Sequence, residues 1–200
     1  MNAYAELVAA THYSFLRGAS SPAEMVVQAA ALGMKALGIA DRNSVAGVVR
    51  AWSAVKAARA QSLLPQGFRL VTGARLVFAD GTPDIVAYPR TRVGWGRLTR
   101  LLTTGNMRSK KGGCILYFDD LAAHAQDILF ILLPVSTAQE NTPQGRPVPY
   151  DHHDGSEGLR LVEPTPQGIE NILLRLKKCA PDRVWLGVSM HLQGSDRRRF

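Results

Sequence analysis

Two stretches near the amino terminus repeat one plan, and that plan constrains the fold more than any other feature of the chain. Residues 4–9 are typical of a short strand that ends in a polar turn, and residues 35–40 are typical of a second strand that ends at Asp41. A helix pattern follows each turn. Strand-turn-helix units build α/β sheets, and their turns gather at the carboxyl edge of the strands, where ligands bind. We therefore expect one site that both turns share.

The rest of the chain continues to alternate between strand and helix patterns. A capping box over residues 21–24 begins the first helix. Apolar residues at helical spacing predict further helices over 45–60, 91–104, 118–124 and 166–179. Further strands are predicted over 68–78, 84–88, 127–134 and 183–191. With about seven strands and five helices in alternation, the sequence indicates an α/β fold with a largely parallel sheet.

Length and charge limit the class of protein. A chain of 200 residues is long enough for one domain and short for two. It has 24 Lys and Arg against 16 Asp and Glu, and the net charge of +8 favours an anionic partner such as nucleic acid. An Arg-rich composition throughout the source proteome would produce the same excess, so the location of the charge matters.

Cysteine and apolar patterns bear on the compartment. Cys114 and Cys179 are far apart in the sequence, which signals neither a disulfide framework nor a zinc site. We therefore expect the protein to lie in a reducing compartment, the cytosol. No run approaches the roughly 18 apolar residues that span a bilayer, so we expect a cytoplasmic protein without membrane contact. Residues 137–158 are rich in Pro and Gly without periodicity, which predicts a mobile loop.

Much of the positive charge lies between Arg90 and Lys111, a segment with seven basic residues and no acidic one. Its helix face and glycine-flanked loop suit contacts with phosphate groups. The predicted nucleic-acid-binding residues are Arg97, Arg100, Arg108, Lys110 and Lys111. A solvated helix face, or a face that docks onto an acidic protein surface, explains the same segment.

Two motifs carry a resemblance to a known family. Residues 7–19, which contain Tyr13-Ser14-x-Leu16-x-Gly18-Ala19, and residues 41–47 resemble the first two motifs of the PHP (polymerase and histidinol phosphatase) domain of bacterial C-family DNA polymerases. Phe15, Arg17 and Ser20 make the chain most similar to the error-prone branch of that family.

The resemblance implies a distorted (β/α)₇ barrel, truncated at its carboxyl end, and a single PHP-like domain over 1–200 that is a fragment of a longer polymerase. It also implies a role of the parent protein in DNA repair and damage-induced DNA synthesis. The expected partners are DNA, the remaining polymerase domains and other subunits of a damage-response polymerase. The parent is expected to use Mg for nucleotidyl transfer.

The family's metal ligands do not carry over to this chain. Its His-x-His pair falls on Val8 and Ala10, the His of the second motif falls on Arg42, and the Glu of a later Gly-x-Glu falls on Arg75. A guanidinium group keeps a fixed positive charge and repels a metal ion. The resemblance therefore implies a degenerate site without metal, cofactor or catalytic residue.

Four residual candidates remain for a metal ion. His12, Asp41, Asp84 and His191 could still be ligands, but a metal needs three or four converging groups, so we favour structural roles for the histidines. Each arginine could pair with a carboxylate such as Asp41 or Asp84, or the two could hold a phosphate. The alternatives are an active metal-dependent phosphoesterase or 3′-5′ exonuclease, and a protein-docking module without DNA contact.

Overall fold

Six strands and five helices alternate along the part of the chain that the computed structural model describes, residues 4–134 and 166–187. The strands are β1 (Ala5–Ala9), β2 (Ala36–Arg42), β3 (Arg69–Leu76), β4 (Ile85–Pro89), β5 (Ile128–Leu132) and β6 (Val184–Leu186). The helices are α1 (Pro22–Ala31), α2 (Val48–Ala60), α3 (Arg92–Met107), α4 (Phe118–His124) and α5 (Pro166–Cys179).

The strands form one sheet in sequence order, β1-β2-β3-β4-β5-β6, which curls like half a barrel. The pairs β1–β2, β2–β3 and β5–β6 are parallel. β4 runs antiparallel to β3, because the connection between them is too short for a parallel crossover, and it is also antiparallel to β5. The predicted α/β class is confirmed, and the sheet is largely parallel except at β4.

Local sequence signals account for where the helices begin. The predicted capping box is present at α1, where the Ser21 hydroxyl accepts from the Glu24 amide at 3.2 Å and the Glu24 carboxylate accepts from the Ser21 amide at 2.7 Å. At α3, the Thr91 side chain accepts from the Gly94 amide at 3.0 Å. Each cap satisfies amide groups that the first helical turn leaves without partners.

The helices cover one face of the sheet in two apolar clusters. The first lies between α1, α2 and the strands β1 and β2, and includes Val26, Leu37 and Val55. The second lies between α3, α4, α5 and the strands β3 to β5, and includes Leu101 and Phe130. The face turned away from the helices, which we call the strand-lined face, carries a third cluster around Tyr88, Val86 and Ala40.

Several sequence-based boundaries shift, and some predictions lie outside the described residues. The strand predicted over 68–78 ends at Leu76, because the next amide, Val77, donates to the side chain of Asn43 at 2.9 Å and not to a strand. Helix α2 begins at Val48, three residues later than predicted. The predicted mobile loop at 137–158 and His191, at the end of the last predicted strand, lie outside the described residues.

Candidate functional site

The carboxyl ends of β1, β2 and β3 meet at one edge of the sheet, as the two strand-turn repeats predict. Arg42, the last residue of β2, is the register partner of Arg75 near the end of β3. Register partners on neighbouring strands point to the same face. Asp84 immediately precedes β4, which runs antiparallel to β3, so it reaches the same edge. We call these three residues, together with Asp41, the charged edge.

Arg75 and Asp84 form the ion pair of the charged edge. The Arg75 Nε and Nη2 atoms both lie 2.7 Å from the Asp84 Oδ2 atom. The Asp84 side chain is 7% exposed and that of Arg75 is 27% exposed, so water screens the pair only in part. The prediction that an arginine of this edge pairs with Asp84 is confirmed. A guanidinium group thus occupies the space beside Asp84.

Asp41 is buried, at 1% exposure, and its carboxylate accepts hydrogen bonds from the turn that follows β1. Oδ1 accepts from the Thr11 amide at 2.8 Å and from the Ser14 hydroxyl at 2.7 Å, while Oδ2 accepts from the Thr11 hydroxyl at 2.8 Å. The alternative that Arg42 pairs with Asp41 is wrong. Successive side chains of a strand point to opposite faces, so these two neighbours cannot meet.

Ser14 and Thr11 are residues whose contacts the sequence did not predict. The Ser14 oxygen donates to Asp41 and also accepts from the Arg42 amide at 3.0 Å. Both hydroxyl groups follow the β1 strand within a few residues, in the turn that was expected to face Asp41. A hydroxyl pair at that spacing, facing a strand-end carboxylate, is the signal that could have identified the network.

The amino terminus of α2 approaches the Asp41 carboxylate closely. A Cβ atom at Gly47, the N-cap of α2, would lie 2.9 Å from the Asp41 Oδ2 atom, so a larger residue would disturb the contact. The positive end of a helix dipole stabilises an anion at that position. Asp41 therefore joins β2 to the β1–α1 turn by hydrogen bonds, and the start of α2 packs close against it.

The residues at this edge do not fit a metal ion. Asp41 directs both oxygens to neutral donors, and Asp84 has a guanidinium group against it. His12 is exposed, with its ring 4.6 Å from that of Tyr13. Within residues 4–134 and 166–187, no three His, Cys, Asp or Glu side chains lie close enough together to hold a metal. The metal-free state itself stays a prediction.

Tyr88 fills the strand-lined face behind the charged edge. Its hydroxyl donates to the Leu7 carbonyl at 2.5 Å, next to the register shift between Glu6 and Ala9. A Cβ atom on Gly38 or Gly73 would lie 2.5 Å from this side chain, so both strands need glycine where the ring crosses them. Burial raises the pKa of the Tyr88 phenol, which keeps it protonated as a donor.

Val8 and Ala10, two of the degenerate ligand positions, lie near the end of β1 and directly after it. Val8 packs against the apolar cluster that contains Tyr88, and Ala10 is half-buried. The Val8 amide also donates to the Glu6 carboxylate at 2.7 Å. An apolar contact therefore takes the place where an imidazole would be needed to bind a metal.

Two of the five predicted nucleic-acid-binding residues form ion pairs within the fold. The Arg97 Nη1 atom lies 2.8 Å from the Asp127 Oδ2 atom, and its Nη2 atom lies 2.6 Å from the Gln126 Oε1 atom. Arg108 binds both oxygens of Asp120, with Nη2 and Oδ1 2.7 Å apart. The counter-ions of Arg97 and Arg108 come from the segment after residue 117, so the basic run alone did not show that these two charges are compensated.

Asp120 connects the segment that follows α3, residues 108–113, to helix α4. We call this segment the basic loop. Its Oδ2 atom accepts from the Tyr117 amide at 2.9 Å, and the Arg108 guanidinium lies over the Tyr117 ring, 5.2 Å from its centre. The hydrogen bond from Arg108 lowers the pKa of Asp120. Of the remaining predicted residues, Arg100 and Lys111 are exposed, and Lys110 is exposed with a partner in the fold. Their contact with DNA stays a prediction.

The described helices include none that is both long and apolar enough to cross a membrane. His124 is the last residue of α4. Its Nδ1 atom lies 2.8 Å from the Asp120 carbonyl oxygen, one turn earlier in α4.

Comparison with known proteins identifies the family. A family model described as the PHP domain matches residues 6–189. The chain is 45% identical over 197 residues to error-prone DNA polymerase 1 of Rhizobium meliloti (strain 1021), a match that covers 98% of this chain and 15% of the relative. It is 46% identical over 141 residues to the error-prone DNA polymerase of Caulobacter vibrioides, covering 70% of this chain and 12% of the relative.

A solved structure shows a more distant likeness. An amidohydrolase from Chromobacterium violaceum superposes with a TM-score of 0.46 at 15% identity, over 90% of this chain and 75% of that chain. The family assignment does not depend on it. The chain spans 15% of the length of the Rhizobium relative. Because the family model matches most of the chain, and because error-prone DNA polymerases are more than 40% identical to it over the aligned residues, the chain belongs to the PHP domain family.

Proposed function

We propose that this chain is the amino-terminal part of an error-prone DNA polymerase, in which it serves as a structural module that does not hydrolyse phosphoesters. The two polymerase relatives support the first half of the proposal, since they match along most of this chain. The charged edge supports the second half. In such a parent, the activity in DNA synthesis and repair belongs to the segments outside this chain.

The ion pair between Arg75 and Asp84 is the observation on which the loss of hydrolysis rests. A hydrolytic PHP centre needs converging imidazole and carboxylate groups that bind metal ions and lower the pKa of a bound water. Here a guanidinium group lies 2.7 Å from the Asp84 carboxylate, where a metal would have to bind. The positive charge of Arg75 neutralises Asp84 directly, so no metal is needed to stabilise the buried carboxylate.

The setting of the parent protein follows from the same proposal. The parent would be a cytoplasmic nucleotidyltransferase that acts in replication past DNA damage and uses Mg in its polymerase domain. The PHP module would contact the other polymerase domains, and through them DNA and further subunits of a damage-response complex. The relatives support this setting because they are named as error-prone DNA polymerases.

One observation favours docking onto another protein segment as the mode of contact. Phe15 and Leu16 are 81% and 89% exposed, at the tip of the turn that follows β1. Leu16 has a left-handed backbone, with φ of 59°, and the Gly18 amide donates to the Ser14 carbonyl at 3.0 Å. A constrained turn that presents two large apolar side chains to solvent is typical of a contact surface.

The experiment measures metal content and hydrolysis together on the purified chain. We expect no stoichiometric Zn, Mn or Fe by elemental analysis, no hydrolysis of a phosphodiester substrate with added Mn, and the same Tm with metal as with EDTA. A bound metal would raise Tm by mass action, so the last measurement does not depend on activity. One or more metal ions per chain, or hydrolysis that EDTA abolishes, would support the phosphoesterase or exonuclease alternative.

A further inference from the structure

Arg42 is the unbalanced charge of this edge. Its register partner Arg75 pairs with Asp84, and its chain neighbour Asp41 points to the opposite face. Across the described part of the chain, no carboxylate forms a salt bridge with Arg42. Arg42 is nevertheless half-buried. Two arginines and one carboxylate therefore meet at the strand-lined face.

Neighbouring strands lie about 4.8 Å apart, so the side chains of the register partners Arg42 and Arg75 start from adjacent positions on one face. Arg75 uses Nε and Nη2 on Asp84, and among the described residues its Nη1 atom has no hydrogen-bond partner. The Arg42 backbone amide donates to Ser14, and its guanidinium group has no hydrogen-bond partner within residues 4–134 and 166–187, which leaves its planar fork of donors for a ligand. The donors that remain on this face match an oxyanion, because a guanidinium binds two oxygens side by side.

We propose that the charged edge binds a phosphate group between the Arg42 fork and Arg75 Nη1, so that an edge whose residues reject a cation has become an anion site. Asp84 orients the Arg75 side chain, and Asp41, the residue before Arg42, ties the end of β2 to Thr11. The ligand is either free inorganic phosphate or a phosphodiester of a DNA strand, because the two offer the same pair of oxygens. The proposal does not depend on the assignment to a polymerase.

The direct test is an NMR titration of the arginine Nε–H signals of the full chain with inorganic phosphate, against NaCl at matched ionic strength. We expect saturable shifts of Arg42 and Arg75 and no comparable shift of Arg69, which lies on β3 at the opposite end of the strand. This measurement uses the unaltered protein, so it does not depend on the folding of a variant. Shifts that chloride reproduces would overturn the proposal.

Two variants give the second test. Arg42→Gln keeps length and polarity but loses the charge, and Arg69→Gln is the matched control on an exposed arginine of the same strand pair. We expect the Kd for phosphate to rise about tenfold in Arg42→Gln, as for the loss of one charge-assisted hydrogen bond, and to stay within about twofold in Arg69→Gln. Equal values for the two variants would contradict the proposal.

The source of the phosphate is distinguished by a second ligand, a short single-stranded oligonucleotide without terminal phosphates. If Arg42→Gln weakens its binding more than Arg69→Gln does, the site takes phosphodiesters. If only inorganic phosphate shows the difference, the site takes free phosphate, and either result supports the anion site. If Arg42→Gln weakens the binding of neither ligand more than Arg69→Gln does, Arg42 binds no phosphate. The metal and hydrolysis measurements above are independent of this outcome, so the two proposals fail separately.

Discussion

Asp41 shows at the scale of one residue how a strand-end carboxylate can be used within the fold. Its carboxylate accepts three hydrogen bonds from Thr11 and Ser14, and it is almost completely buried. Hydrogen bonds to a charged acceptor each contribute roughly 1.5 to 3 kcal/mol when buried. The residue is retained here for stability, while its neighbour Arg42 is available for a ligand.

We expect Asp41→Asn to destabilise the chain by about 2 to 3 kcal/mol. An Asn nitrogen at the Oδ1 position would face the Thr11 amide, which is a donor and cannot accept. At the Oδ2 position it would face the Thr11 hydroxyl, which would have to stop donating, and in both orientations the charged acceptor is lost. Urea unfolding measures the change, with Asp182→Asn in an exposed turn as the control. If both variants unfold at the same urea concentration, the Asp41 network does not stabilise the fold.

Tyr88 stabilises the sheet from the strand-lined face through a single hydroxyl group. Tyr88→Phe keeps the ring against Gly38 and Gly73 but leaves the Leu7 carbonyl without its donor. We expect a loss of about 1 to 3 kcal/mol, the cost of a buried polar group without a partner. Tyr4→Phe is the control, since its hydrogen bond to Glu6 is exposed and water replaces it. Similar losses for the two variants would show that the Leu7 carbonyl finds another donor.

At the scale of elements, the connection from α3 to α4 depends on contacts between segments that are separate in the sequence. Arg108 at the end of α3 binds Asp120 in the first turn of α4, and Arg175 from α5 lies over the Phe118 ring, 3.8 Å from its centre. The Asp120 carboxylate also accepts the Tyr117 amide at the start of the helix. Asp120 therefore holds the first residue of the basic loop, Arg108, against the start of α4.

The Asp120 contacts predict a dependence of stability on pH. The hydrogen bond from Arg108 lowers the pKa of Asp120 in the folded state, so the ionised carboxylate stabilises the fold above the unfolded pKa of about 3.9. That stabilisation is lost as the pH falls through the lower folded pKa. Asp120→Asn should therefore be less stable than the parent from pH 7 to about 4, and the difference should shrink below that range.

Urea unfolding at several pH values measures this difference. The control is Asp119→Asn, because the side chain of Asp119 is 93% exposed and its ion pair with Arg175 is 3.3 Å long. A constant difference between Asp120→Asn and the parent down to pH 3 would mean that the ion pair with Arg108 does not set the pKa of Asp120.

At the scale of the whole molecule, strand and helix patterns predicted the order of elements well because each element is set by its own residues. The Ser21 cap, the Asp41 corner and the apolar run of strand β5 are all local signals, and each of these elements is found where it was predicted. The charged edge was less predictable. Which oxygen Asp41 offers to Ser14, and which arginine reaches Asp84, depend on strand register and on the direction of β4, and neither is encoded by local spacing.

The distribution of positive charge is also a property of the whole molecule. Arg97 forms an ion pair with Asp127, and Arg108 forms one with Asp120. These two side chains therefore make contacts within the fold. Arg100 lies on the exposed face of α3, and Lys111 lies on the loop that follows it. Any sequence-independent contact with DNA through this surface should therefore depend on exposed residues such as these more than on the anchored arginines.

The last prediction tests that surface with a double variant, Arg100→Ala/Lys111→Ala. If both residues contact phosphates, the slope of log K against log salt for single-stranded DNA should fall by roughly 0.7 per lost contact. Folding should be almost unchanged, because exposed substitutions cost about 0.5 kcal/mol or less. Lys177→Ala/Lys178→Ala, two exposed residues at the end of α5, is the control for a general loss of charge. Equal slopes for the two double variants would show that the basic segment is a solvated or protein-docking face, because a phosphate-contacting face would lose bound counter-ions only where its own cations are removed.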